Sequence, residues 1–248
     1  MLYLIGLGVD FSLTERGRKA VEKSAVLVEA YTNWLPGDAV MERLIGKRFE
    51  KADRECIEGK GDELIAKAAK GDLAILIAGD PLSATTHVDL ILRARKAGVK
   101  VDIIPNSSVF TAVARTGLQL YKFGKTASIP FAKQGFEPET PFSLFLDNQK
   151  TGAHTLFLLD MDPSKGKYLT VKEAIDFLLL IAKKRKDKRL TEKTLAVGCA
   201  RLGLEDEEIV YGSAERVAKH PFKAPPYCLI IPTKLHFTEE KMLDAHRI

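Results

Sequence analysis

Short apolar runs closed by Gly, Asp or Pro punctuate the first half of the chain, at 2–7, 25–29, 73–78 and 101–104. Runs of this length read as buried parallel strands. Between them, residues 14–24, 62–70 and 86–97 carry helix-forming residues, and the last stretch places Val88, Ile91, Leu92 and Arg95 at the spacing of one helical face. Strands alternating with helices imply right-handed crossovers and a mostly parallel sheet covered on both sides. The first domain, 1–117, is therefore predicted to be α/β.

After Gly117 the rhythm changes. Strand candidates at 127–131, 154–159, 194–199, 208–211 and 227–231 have fewer helices between them, so some neighbours must be antiparallel. The clearest helix is 170–184, with Thr170 as N-cap, Glu173 as its capping-box partner, and Val171, Ala174, Ile175, Leu178, Leu179 and Ala182 on one face. Leu180 and Ile181 widen that stripe, which suits a domain contact or a subunit contact. A second α/β domain with a mixed sheet is predicted over 118–248, without a flexible linker or internal repeat.

A length of 248 residues at ~150 per domain agrees with one large or two small domains. With 46% hydrophobic and 29% charged residues the composition is that of an ordinary soluble protein, and the longest apolar run, 177–182, is far short of a membrane span. The opening MLYLIGLG lacks the charged leader and cleavage site of a signal peptide. Cys56, Cys199 and Cys228 are scattered, and His87, His154, His220, His236 and His246 form no ligand spacing. A cytoplasmic protein without a metal is expected. The net charge of +5 suits an acidic partner but not a nucleic-acid tail. The basic run 183–189 sits where cations favour a helix C-terminus, so it reads first as a solvated helix end.

Three strand-end loops carry the candidate chemistry. The first, Gly6-Leu7-Gly8-Val9-Asp10-Phe11, with Glu29 closing the next strand, nearly fits a dinucleotide fingerprint, but Phe11 stands where the third glycine is needed. It is open to a nicotinamide or flavin, to a plain tight turn, or to another adenosine-containing cofactor. The second, Gly79-Asp80-Pro81-Leu82-Ser83-Ala84-Thr85-Thr86-His87, precedes a helix that any one of its hydroxyl residues could cap. The third is Pro105-Asn106-Ser107-Ser108-Val109, where Ser107 or Ser108 could do the same. All three loops would face one edge of the sheet and define one site. No nucleophile elbow, Walker loop or Cys-His arrangement is present.

The stretches MLYLIGLG, VEAYTNWLPG, ADRE, GDPLSATTH, TGLQLYKFGK, HTLFLLD, LAVGCARLG and PPYCLIIPTKLH together resemble the diphthine synthase family, within the tetrapyrrole methylase-like fold. The resemblance runs nearly the whole chain. It implies a class III methyltransferase of two α/β domains with S-adenosyl-L-methionine in a cleft between them. By resemblance the cofactor would touch Val9, Asp80, Ser83, Ser108 and Val109 in the first domain, and Leu159, Leu202 and Tyr227 in the second. The first loop is shorter than the family's usual acidic turn, and the third reads PNSSV where many relatives have His-Asn-Ala-Ser-Ile. The implied reaction methylates the amino group of a 3-amino-3-carboxypropyl-histidine on translation elongation factor 2, giving diphthine, with a homodimeric enzyme and no metal, membrane or nucleic acid. Lys122, Lys125 and Lys234 are candidate partners for the substrate's carboxylate. Competing readings are a corrinoid, porphyrinoid or ribosomal RNA methyltransferase of the same fold, a nicotinamide-dependent oxidoreductase, against which Phe11 weighs, and a non-catalytic nucleic-acid-binding module.

Overall fold

The computed structural model describes residues 1–132 and 137–248, which divide into two compact units. Unit 1 comprises Met1–Ala112 with Asp162–Lys165, and unit 2 comprises Val113–Met161 with Gly166–Ile248.

Unit 1 is built on β1 (Leu2–Gly6), α1 (Glu15–Lys23), β2 (Ala25–Glu29), α2 (Asp38–Ile45), β3 (Glu50–Ala52), α3 (Gly61–Lys70), β4 (Leu73–Ile77), α4 (Val88–Lys96), β5 (Val101–Ile104) and α5 (Val109–Ala112). The five strands form one wholly parallel sheet in the order β3-β2-β4-β1-β5. Both faces are covered, so β1 and β4 are buried throughout, and their sequences LYLIG and LAILI show no alternation. Thr14 caps α1 by accepting the Gly17 N–H at 3.1 Å. The apolar face expected for α4 is only partly correct. Leu90, Ile91 and Ala94 face the core, while Val88 and Leu92 are 50% and 58% exposed. Ile91 belongs to both stripes, and packing on α3 selects the one that also keeps Asp89 and Arg93 paired outside.

Unit 2 contains β6 (Ala127–Ile129), α6 (Thr140–Thr151), β7 (Thr155–Leu159), the first residue of the two-residue β8 (Met161–Asp162), whose Asp162 is counted with unit 1, β9 (Lys167–Tyr168), α7 (Val171–Lys184), β10 (Leu195–Ala200), β11 (Glu208–Ser213), α8 (Ala214–Lys219), β12 (Tyr227–Ile231) and α9 (Phe237–Asp244). Its five-stranded sheet has the order β11-β10-β12-β7-β6, parallel between β6 and β7 and antiparallel elsewhere. The capping box of α7 is present, with Thr170 and Glu173 bonding each other's backbone N–H. The helix buries Val171, Ala174, Ile175, Phe177, Leu178, Ile181 and Ala182 in the core of this unit, each large side chain contributing roughly 1.5–3 kcal/mol. Its basic end is engaged locally: Lys184 pairs with Glu137, Arg185 reaches Ser143 at 3.0 Å, and Arg189 binds Asp187 at 2.5 Å.

A buried polar centre ties unit 2 together. The Glu239 carboxylate takes N–H donors from Gln119 at 3.0 Å, His236 at 2.7 Å, the His154 ring at 3.0 Å and the Lys122 ammonium at 2.5 Å. Burial alone would raise its pKa, but these four donors outweigh it and hold the group at about 2. Asn148 does similar work beside it, accepting from the Lys125 N–H and donating to Lys125 O and Thr155.

Candidate functional site

In a parallel sheet, ligands bind beyond the carboxyl ends of the strands. Because β1 lies between β4 and β5, the loops that follow these three strands meet at one edge of unit 1. They are joined by hydrogen bonds as well as proximity. Gly8 and Gly79 form an antiparallel bridge, with N–H to O distances of 3.0 and 2.9 Å. The Ser107 hydroxyl accepts the Val9 N–H at 3.1 Å. Asp80 accepts from Leu82 N at 2.9 Å, from the Ser83 hydroxyl at 3.1 Å, and across to the third loop from Asn106 N at 3.2 Å.

Asn106 binds all three loops. Its amide donates to Gly6 O at 3.0 Å and Ser12 O at 2.8 Å, its carbonyl accepts from Ser107 N at 2.8 Å, and its own N–H goes to Asp80. The approach is so close that a Cβ on Gly6 would lie 2.6 Å from Gly79 O and 2.8 Å from Asn106 Cβ. Sequence reasoning identified this loop but passed over Asn106 and gave Ser107 only the role of a helix cap, whereas its hydroxyl bonds Val9. Only the position of Asn106 between a strand and a helix could have flagged it, since its partners lie far away in the chain.

The hydroxyl residues of the second loop do not cap α4. Ser83 bonds Asp80, Thr85 donates to Pro81 O at 2.8 Å, Thr86 donates to Glu58 at 2.8 Å, and the N-cap position is His87, without a side-chain cap bond. Ser108 and Ser107 likewise spend themselves elsewhere than in a side-chain cap: Ser108 through its backbone with Thr111, Ser107 on Val9. The acid at the dinucleotide position, Glu29, is buried and engaged by its own turn through Tyr31 N at 2.6 Å, Thr32 N at 2.7 Å and the Thr32 hydroxyl. Phe11 is buried in the left-handed region at φ 58°, its ring edge-on to Trp34 at 5.8 Å.

Of the eight residues expected at a cofactor, Val9, Asp80, Ser83, Ser108 and Val109 thus share the loop edge of unit 1. The other three share an edge of the unit 2 sheet: Leu159 ends β7, Tyr227 opens β12 antiparallel to it, and Leu202 follows β10, whose Ala200 pairs with Tyr227. The turn carrying Leu202 is held firmly. Arg201, at φ 55°, donates to Asp206 at 2.7 Å and Pro225 O at 3.2 Å, and Gly203 N donates to Glu207, which Arg115 grips with two bonds of 2.5 Å. Non-glycine residues at positive φ therefore occur beside Val9, Ser83 and Leu202, where Phe11, Ala84 and Arg201 are held in strained backbone. Lys122, a candidate carboxylate partner, is committed to Glu239 and to Lys234 O at 3.1 Å. Among the described residues no cluster of His, Cys, Asp and Glu is arranged for a metal, and no helix is long and apolar enough to cross a membrane.

Residues 1–218 match the model of the tetrapyrrole (corrin/porphyrin) methylases, which defines the class as methyltransferase. A diphthine synthase of Methanococcus maripaludis is 43% identical over 98% of this chain and 97% of its own length. An Arabidopsis thaliana protein named "Probable diphthine methyl ester synthase" is 40% identical over 100% of this chain and 98% of its own. A crystal structure of diphthine synthase superposes with a TM-score of 0.89 at 32% identity, covering 99% of this chain and 95% of that one. The chain belongs to the tetrapyrrole methylases and, within them, to the diphthine synthase family.

Proposed function

We propose that the chain is an S-adenosyl-L-methionine-dependent N-methyltransferase acting on the 3-amino-3-carboxypropyl-histidine of translation elongation factor 2, giving diphthine in diphthamide biosynthesis. The observation that carries this reading is the likeness to diphthine synthases over nearly the full length of both chains. A cytoplasmic homodimer without metal or nucleic acid belongs to the same reading.

Val9, Asp80, Ser83, Ser108 and Val109 would hold the cofactor from unit 1, and Leu159, Leu202 and Tyr227 from unit 2. The residues fit such a group. Apolar side chains beside loop backbone suit a ligand bound mainly by contact and main-chain hydrogen bonds. Asp80 already accepts three donors, out of about four places on a carboxylate, so its work is to set the course of two loops. When bound, the cofactor supplies a methyl group already activated by a sulfonium. The chain needs no nucleophile of its own for this; its residues align the amine and keep out water.

The test is transfer of a labelled methyl group to elongation factor 2 with and without the aminocarboxypropyl-histidine. Label on the modified factor alone is expected, and mass spectrometry of the product separates a trimethylated amine from a methyl ester. Cofactor binding without label on the factor would leave the class and overturn the substrate.

A further inference from the structure

Three stretches that carry the family likeness, VEAYTNWLPG, ADRE and the end of GDPLSATTH, contribute none of the residues expected at the cofactor. In unit 1 they converge. Since β4 lies between β2 and β1, the loop after it has two neighbours. Its start meets the loops after β1 and β5 through Gly79 and Asp80, and its end meets the π-helical turn Glu55–Gly59 through Thr86.

At that second contact, Glu58 Oε1 accepts the Thr86 hydroxyl at 2.8 Å and the Tyr31 hydroxyl at 3.4 Å, and Oε2 lies 3.9 Å from the Arg54 guanidinium. Arg54 also stacks over the Tyr31 ring at 5.0 Å. Arg93, which holds the Glu58 carbonyl at 3.0 Å, spends its charge on Asp89 and Asp62. Two buried groups adjoin these partners: Glu29, 2% exposed, accepts the Tyr31 N–H at 2.6 Å, and His87, 1% exposed, follows Thr86 in the chain. The His87 Nδ1–H donates to Pro81 O at 3.2 Å, which leaves Nε2 with a free lone pair and no partner among the described residues. The carboxylates acting on that ring are Glu29 and Glu58.

Donors and acceptors do not balance here. The cluster has a carboxylate with spare capacity at its mouth and a buried lone pair, and Arg54, at 3.9 Å from Oε2, lies beyond hydrogen-bond distance and leaves that oxygen open to a further N–H donor. A protonated primary amine brings three donors and one charge, and the neutral form that accepts a methyl group keeps two donors. We propose that Glu58, Tyr31 and Thr86, backed by Glu29 and His87, form the subsite that receives the substrate's primary amine, at the end of the same β4 loop whose start carries Asp80 and Ser83. This rests on the functional reading above, which supplies the amine.

The experiment uses the whole chain in two measurements. In the first, Glu58→Gln and Tyr31→Phe are compared with wild type for transfer to the modified factor, with S-adenosyl-L-methionine affinity measured separately. Glu58→Gln is expected to raise KM for the factor about tenfold with kcat changed less and cofactor affinity unchanged. In the second, nitrogen NMR signals of the His87 ring are followed while L-2-aminobutyrate, the substituent without its imidazole, is added. They are expected to shift in wild type and to stay still in Glu58→Gln. An unchanged KM in both variants together with an unmoved His87 overturns the subsite. If wild type transfers nothing to the factor but the shift and its loss in Glu58→Gln are seen, the functional reading falls and the amine subsite stands.

Discussion

His154 of unit 2 and His87 of unit 1 are both buried, at 0% and 1% exposure, and burial lowers the pKa of each despite nearby carboxylates. Their partners differ. His154 accepts the Thr233 N–H on Nδ1 at 3.1 Å and donates to Glu239 from Nε2 at 3.0 Å, so nothing on the ring is left over. His87 has one nitrogen satisfied and one not. A buried polar group completely bonded holds the fold, whereas one left open in a strand-end loop calls for an explanation, which the amine subsite proposed above supplies. The same contrast separates the two units: Glu239 in unit 2 is saturated by four donors, while the loop edge of unit 1 is joined by single hydrogen bonds running from loop to loop.

The contrast breaks if damage to the unit 2 centre acts first on ligand binding. Glu239→Gln leaves the Lys122 and His154 groups without their anion, so stability should fall by about 3 kcal/mol in urea unfolding, with cofactor affinity of the folded fraction unchanged. The pH dependence has a definite sign. The carboxyl is near 4.5 unfolded and about 2 folded, so its stabilisation is full above pH 4.5 and is lost as pH falls toward 2. Glu239→Gln should lack that part of the acid transition in a pH-dependent unfolding series.

Substitutions at the unit 1 edge should do the reverse. Gly6→Ala forces a methyl group to within 2.6 Å of Gly79 O, and the resulting loop shift should weaken S-adenosyl-L-methionine binding about 100-fold by calorimetric titration. Asn106→Ala removes the amide that joins the three loops, for an expected loss of about tenfold in the same titration. Ser107→Ala deletes one bond to Val9 and should cost about 1 kcal/mol of binding, roughly fivefold, with the melting temperature nearly unmoved. Loss of stability in these three without loss of affinity would place the edge with the scaffold.

Much of the architecture was readable along the chain because its signals are local. The strands at 25–29, 101–104 and 227–231 occupy the expected residues, and the Thr170–Glu173 capping box forms as its spacing requires. The helices α2, α6, α8 and α9 were not foreseen. In α9 only Leu243 and the Glu239 carboxylate are buried, so no apolar stripe exists to read; α6 buries Phe142, Phe145 and Leu146 within a run that opens on Pro141. The α4 stripe misled because two faces share Ile91, and only packing chooses between them.

The sequence by itself determined the alternation of strands and helices, the loops that carry Gly, Asp and Ser at strand ends, and the family those loops resemble. These depend on contacts a few residues apart and on side-chain type. Tertiary structure alone decided that β4 stands in the middle of unit 1, that Asn106 reaches Gly6 and Ser12, and that Glu58 meets Thr86. Such partners lie 28 to 100 residues apart, and their pairing follows from strand order, which the crossovers set and no local pattern encodes.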